Sequence, residues 1–104
     1  MILTVAEAKA VLGYETTEEM PQDVENVLLP AIDEHLLTAT GKDWGTLTEN
    51  YTTIEPLAKM AARVFLRRWF DDPGMIGKVN DAGTMSLVGQ LHAKALQEKQ
   101  VTAT

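Results

Sequence analysis

The stretch Ile54–Phe70, IEPLAKMAARVFLRRWF, decides how the rest of this chain is read. Projected at about 100° per residue, Leu57, Ala58, Ala61, Ala62, Val64, Phe65, Leu66, Trp69 and Phe70 cover well over half of a helix circumference. The row Lys59, Arg63, Arg67 is the plainly polar remainder. A surface helix needs an apolar stripe of only about 100–120°. This helix is therefore either the centre of a core or shared with another chain. Thr53 or Glu55 is placed to cap it and Pro56 suits its first turn. Asp71-Asp72-Pro73-Gly74 stops it, because the residue before a proline avoids the α region. Arg68 projects into the middle of the apolar arc, where an unpartnered charge is prohibitive. Its stem is expected on the core, with its head escaping past the helix end or meeting Asp71 or Asp72. A carboxylate of the second helix, or of a neighbouring copy, is the alternative partner.

Upstream, Thr4-Val5-Ala6-Glu7 has the form of a capping box. Val5, Ala8, Val11 and Leu12 follow at helical spacing to Gly13, a natural left-handed terminator. That first helix, residues 5–12, is too short to persist alone and must dock. Tyr14 to Met20 is an acidic linker. From Pro21, the pattern Val24, Val27-Leu28, Ala31-Ile32, His35-Leu36, Ala39 predicts a second helix to Thr40, closed by Gly41. Pro30 interrupts it, removing a backbone hydrogen bond, so a kink near Asn26–Leu29 or two abutting helices are expected. Residues 42–53 are polar and turn-rich, with Trp44 and Leu47 expected to pin the loop to the body. Residues 74–83, GMIGKVNDAG, read as a long loop or a short hairpin, of the kind that is often functional. A fourth helix is expected over residues 85–99, started by Thr84 or Ser86. Leu87-Val88, Leu91, Ala95 and Leu96 would form one face, Lys94 and Lys99 suit its last turns, and residues 100–104 should fray. The fold class is all-α: a single domain of four helices (5–12, 21–40 kinked at Pro30, 55–71, 85–99) with a long loop over 72–84.

The whole chain agrees with one domain. Its 104 residues, 45% of them apolar, suffice to bury about 65% of the unfolded surface. No apolar run reaches membrane-spanning length, and MILTVAEAK lacks the basic and apolar regions of a signal peptide. With no cysteine, disulfides and thiolate metal sites are excluded. The net charge of −6 is uneven: residues 1–53 carry ten acids and two bases, residues 54–104 five acids and seven bases. That total disfavours binding to free nucleic acid. The split permits head-to-tail association of copies, acidic surface to basic surface, the mode that builds rings. Intermixing of the two halves on folding is the plainer reading.

Chemistry is sparse. His35 and His92 fall on or beside apolar faces without a second ligand at i+3 or i+4, so a packed structural role is expected and no metal site. Asp33-Glu34 point about 100° apart on a helix and cannot converge on one atom. Asp71-Asp72 is ordinary turn chemistry. No nucleophile elbow, phosphate loop or dinucleotide fingerprint is present, and no catalytic residue or cofactor is expected. Lys59, Arg63 and Arg67 would usually be a solvated face. Set against the acidic first half, they are also candidates to contact Glu18 and Glu19 of another copy, together with Met75, Ile76 and Lys78 in the loop that follows.

The order LTVAEAKAVLGY, acidic linker, PQDVENVLLPAIDEHLLTATGKDW, EPLAKMAARVFLRRWFDDP resembles the small head–tail connector (adaptor) proteins of tailed bacteriophages. The residues that carry the resemblance are Leu3, Thr4, Glu7, Lys9 and Leu12; Thr40 and Gly41; Pro56, Lys59, Ala61, Trp69 and Phe70. It covers roughly residues 3–73; Pro30 and the glycine-rich segment after Pro73 depart from the family pattern. The resemblance implies an α-helical structural virion protein without catalytic residues, in the host cytoplasm during assembly and then at the head–tail interface. Copies would form a homo-oligomeric ring, commonly twelvefold, between the portal protein and a tail completion or stopper protein. DNA would pass through the lumen without sequence-specific binding, and no membrane is involved. A net acidic wall suits that role, since it repels phosphate. The reading from another class is a small α-helical adaptor or regulatory module that binds a partner helix in a groove. A helix-turn-helix DNA-binding protein ranks lower, because the basic row lies on the helix expected to be mostly buried.

Overall fold

A computed structural model describes residues 1–47, 53–79 and 81–102, with side chains described through residue 98. The chain is all-α. Helix α1 spans Val5–Leu12. A π-helical turn over Val24–Leu28 runs into α2, Leu29–Thr40. Helix α3 spans Pro56–Asp71, a single 3₁₀ turn covers Pro73–Met75, and α4 spans Ala82–Thr102.

The local signals place the ends. Thr4 Oγ1 accepts from the Glu7 amide and the Thr4 amide donates to Glu7 Oε1, both at 3.1 Å, so the capping box is complete. Gly13 and Gly41 close α1 and α2 at φ 83° and 76°, a conformation that costs any residue with a Cβ. Glu55 caps α3, accepting from the Leu57 amide. Pro30 has no N–H to give the carbonyl four residues back. The turn before it is widened: the Leu29 amide reaches Val24 O, five residues back. The interruption expected near Asn26–Leu29 is thus one wide turn that keeps the helix continuous and turns Val24 and Leu28 both inward.

The choice posed by α3 is resolved in favour of the core. Ala58, Ala61, Ala62, Phe65, Leu66 and Trp69 are all buried, and the helix touches α1, the π turn, α2, the 3₁₀ turn and α4. Its three alanines let neighbouring helices approach, while Phe65 and Trp69 fill the space between them, with ring centroids 5.0 Å apart. His35 of α2 meets both rings edge-on, at 5.1 and 5.7 Å.

Four expectations need correction. Helix α4 begins at Ala82 and continues to Thr102, beyond the expected 85–99. Its first turn is held by Asp81, whose Oδ2 accepts from the Thr84 amide and hydroxyl at 3.0 and 2.9 Å. Thr84 is therefore a buried residue of the first turn, and neither it nor Ser86 is the cap. Leu96 lies outside the core face, 47% exposed. Trp44 does pin the loop after α2, buried with Nε1 donating to Thr40 Oγ1 at 2.8 Å, but Leu47 is exposed. Residues 48–52 of that loop, Asn80, the Lys99 side chain and the end of the fraying segment lie outside the described residues.

Candidate subunit interface

The basic row of α3 is divided between two roles. Lys59 is a tertiary staple: its Nζ lies 2.7 and 2.6 Å from the two carboxylate oxygens of Glu7 on α1. That hydrogen bond, ahead of other causes, holds the Glu7 carboxyl below its ordinary acidity range. Arg63 stands 3.7 Å from the same carboxylate and Arg67 3.6 Å from Asp71, both half-exposed or more. Neither distance allows a tight hydrogen-bonded pair. Arg67 also donates to Val11 O at 3.3 Å, tying α3 to the end of α1.

Arg68, expected to meet Asp71 or Asp72, instead lies 3.4 Å from Asp81 across the intervening loop. Asp71 takes Arg67, and Asp72 caps the 3₁₀ turn by accepting from the Gly74 amide at 3.1 Å. Asp81 keeps its carboxyl below the usual range, first through the Thr84 amide and hydroxyl. Arg63, Val64, Arg67 and Arg68 together line an open depression of about 390 Å³. Three guanidiniums around one apolar residue make a surface for carboxylates or phosphates, because each fork offers paired donors.

The other candidate residues do not all gather there. Glu18 and Glu19 are exposed on the linker before the π turn, Glu18 accepting from the Glu15 amide at 3.1 Å. Met75 and Ile76 are partly buried and pack against the core. Lys78 is exposed, and its carbonyl accepts from Trp69 Nε1 at 3.2 Å. The loop after α3 is thus anchored by its backbone and apolar side chains, with the Lys78 side chain free to project.

Asp33 also has a use that pattern reading did not find. Its Oδ1 accepts from the Ile2 amide at 3.1 Å, fastening the N-terminal segment to α2. Burial pushes the Asp33 carboxyl above its usual range. Sequence periodicity likewise missed an open groove of about 510 Å³ between α2 and α4, lined by His35, Ala39, Val79, Met85, Val88, Gly89 and His92. Burial lowers the basicity of His35. Helical periodicity sets both histidines beside apolar faces, but a single helix cannot say which face a second one completes. Among the described residues no three His, Asp or Glu side chains are grouped to hold a metal, and no helix is long and apolar enough to cross a membrane.

Comparison with known protein families, with curated proteins and with solved structures finds no match to this chain.

Proposed function

We propose that this chain is a structural subunit of a phage head–tail connector, forming a ring beneath the portal that joins head to tail and lets DNA pass. The observation that carries the reading is how the pieces of the resemblance meet. Thr4 and Glu7 of the first segment and Lys59 of the third form one joint: Thr4 and Glu7 cap each other, and Glu7 receives Lys59. Thr40 and Gly41 end α2 where Trp44 anchors, and Ala61 and Trp69 are buried at the centre. Residues recognised piecewise along the chain therefore work together as one helical framework. The argininyl depression on α3 and the exposed acidic linker supply opposite charges for head-to-tail contact between copies. In this reading the protein has no catalytic role. Its neighbours are other copies, the portal and a tail completion or stopper protein.

Native mass spectrometry of the chain alone and with purified portal rings tests the proposal. Expected is a closed multiple of the chain mass bound to portal, even if the free chain is smaller. A chain that stays unassembled and ignores portal at high concentration overturns it. The α2–α4 groove favours a second reading, an adaptor module that takes a partner helix, and such a chain would bind helical peptide while ignoring portal.

A further inference from the structure

An apolar slot opens where the acidic linker and the π turn meet the end of α3. Its volume is about 210 Å³, and Val27, Leu28, Trp69, Phe70 and Ile76 line it, with Asp23 the charged member of the lining. An apolar cavity of about 150 Å³ already takes a benzene-sized group, so the slot has room for one aliphatic side chain. The chain that leads into it is acidic. Residues 14–30 carry Glu15, Glu18, Glu19, Asp23 and Glu25, all exposed, and no base.

The outward face of α3 has the reverse character. Met60 is 53% exposed and stands one turn before Val64, so the two share a face. Around Val64 lie Arg63, Arg67 and Arg68, all three arginines of the chain. Arg63 and Arg67 are more than half exposed and held only at 3.7 and 3.6 Å from their carboxylates. Trp69, at the base of α3 beside the slot, projects about 180° from Met60 around the helix axis. A copy therefore cannot fill its slot with its own Met60.

We propose that Met60 of one copy enters the slot of the next, while Arg63 and Arg67 beside it meet the carboxylates of that copy's linker. The inference rests on the head-to-tail contact of the connector reading and supplies its apolar anchor. Charge complementarity selects a second copy as the occupant. The slot has an acidic approach, and Met60 is the exposed large apolar residue set beside the arginines. A chain of net charge −6 otherwise repels its copies, so they approach best where the basic patch of one faces the acidic segment of the other. An apolar anchor seated in a pocket within a charged rim is also how binding energy is concentrated at protein interfaces.

The chain has no cysteine, so Met60→Cys and Val27→Cys each place a single thiol at an exposed position. The two variants are mixed, treated with a short bis-maleimide, and scored on purified portal rings and as free chain at high concentration. A 60–27 linked pair, located by peptide mass, is expected at least tenfold above the 60–60 and 27–27 products, and added salt should reduce it. Met60→Asp should assemble on portal at least tenfold more weakly with unchanged helical circular dichroism, whereas Met60→Leu should assemble as wild type does. If chains assemble on portal without the 60–27 link, or Met60→Asp assembles like wild type, this contact is overturned and the connector reading stands. Linkage of Val27→Cys to portal in place of a second copy also overturns it. A 60–27 link between free chains that ignore portal supports the contact and removes the connector reading. Chains that stay single in both settings overturn both.

Discussion

At Glu7 one carboxylate accepts the Thr4 amide at 3.1 Å and the Lys59 ammonium at 2.6 and 2.7 Å, so the cap of α1 and its docking on α3 share a group. The first half of that arrangement is visible in Thr4-x-x-Glu7. The second is not, because local spacing speaks of neighbours three or four residues away and Lys59 lies 52 residues on. The same blindness misdirected Arg68, for which Asp71 and Asp72 were the near carboxylates and Asp81 was the one the fold supplied. Because Lys59 lowers the Glu7 carboxyl below its ordinary 4.5, its stabilisation is present above that value. It is lost as the pH falls through the depressed value in the folded state. Both side chains are about a quarter exposed, so Glu7→Gln is expected to cost on the order of 1 kcal/mol at neutral pH rather than the larger value of a buried pair. Urea melts should show that gap at pH 7 and its narrowing at pH 3. An equal gap at both would assign the loss to packing instead of charge.

Among the elements, α4 departs furthest from what its sequence pattern predicts. Its start is hidden in the sequence because Ala82-Gly83 is weak helix sequence, and Thr84 and Ser86 have the form of better caps. Asp81 decides the matter: its carboxylate holds both donors of Thr84, and its backbone carbonyl receives the Met85 amide at 3.0 Å. Asp81→Ala should therefore release the first turn of α4 and the Arg68 contact together. Hydrogen exchange is expected to quicken at amides 84 and 85 while the α3 amides remain protected. If those two amides stay as slow as in wild type, the turn is held by something other than Asp81. Helix α3 was legible for the opposite reason, since an apolar surface too wide for a solvent-facing helix leaves it few places but the centre. The π turn lies between these cases. Pro30 announces a disturbance, but the choice between a bend and one wide turn rests on burying Val24 and Leu28 together, which is tertiary.

For the whole molecule, thickness and charge set what assembly can use. The backbone extends 48 × 31 × 19 Å, and a helix with side chains is about 10–12 Å across, so the thin direction holds two layers and each helix keeps an outward face. On α3 that face is Arg63 and Arg67, more than half exposed and only loosely paired; Lys59, committed to Glu7, is not available to it. If copies meet head-to-tail, each contact sets the arginines of one chain against the acidic linker of the next. Reversing Arg63 and Arg67 to Glu should then weaken assembly on portal by tenfold or more, with the helical circular dichroism unchanged because both sites are exposed. The geometry makes a stricter demand as well. In a ring every contact is the same, so adding Glu18→Lys and Glu19→Lys to the reversed chain restores opposite charges at all of them. The quadruple variant should recover assembly that either pair of changes alone has lost, and added salt should weaken wild type and quadruple variant alike. Titrating portal with the four proteins, followed by mass, distinguishes this from a general charge effect. Recovery places the linker against the arginines, whereas assembly indifferent to the first reversal removes the α3 row from the contact.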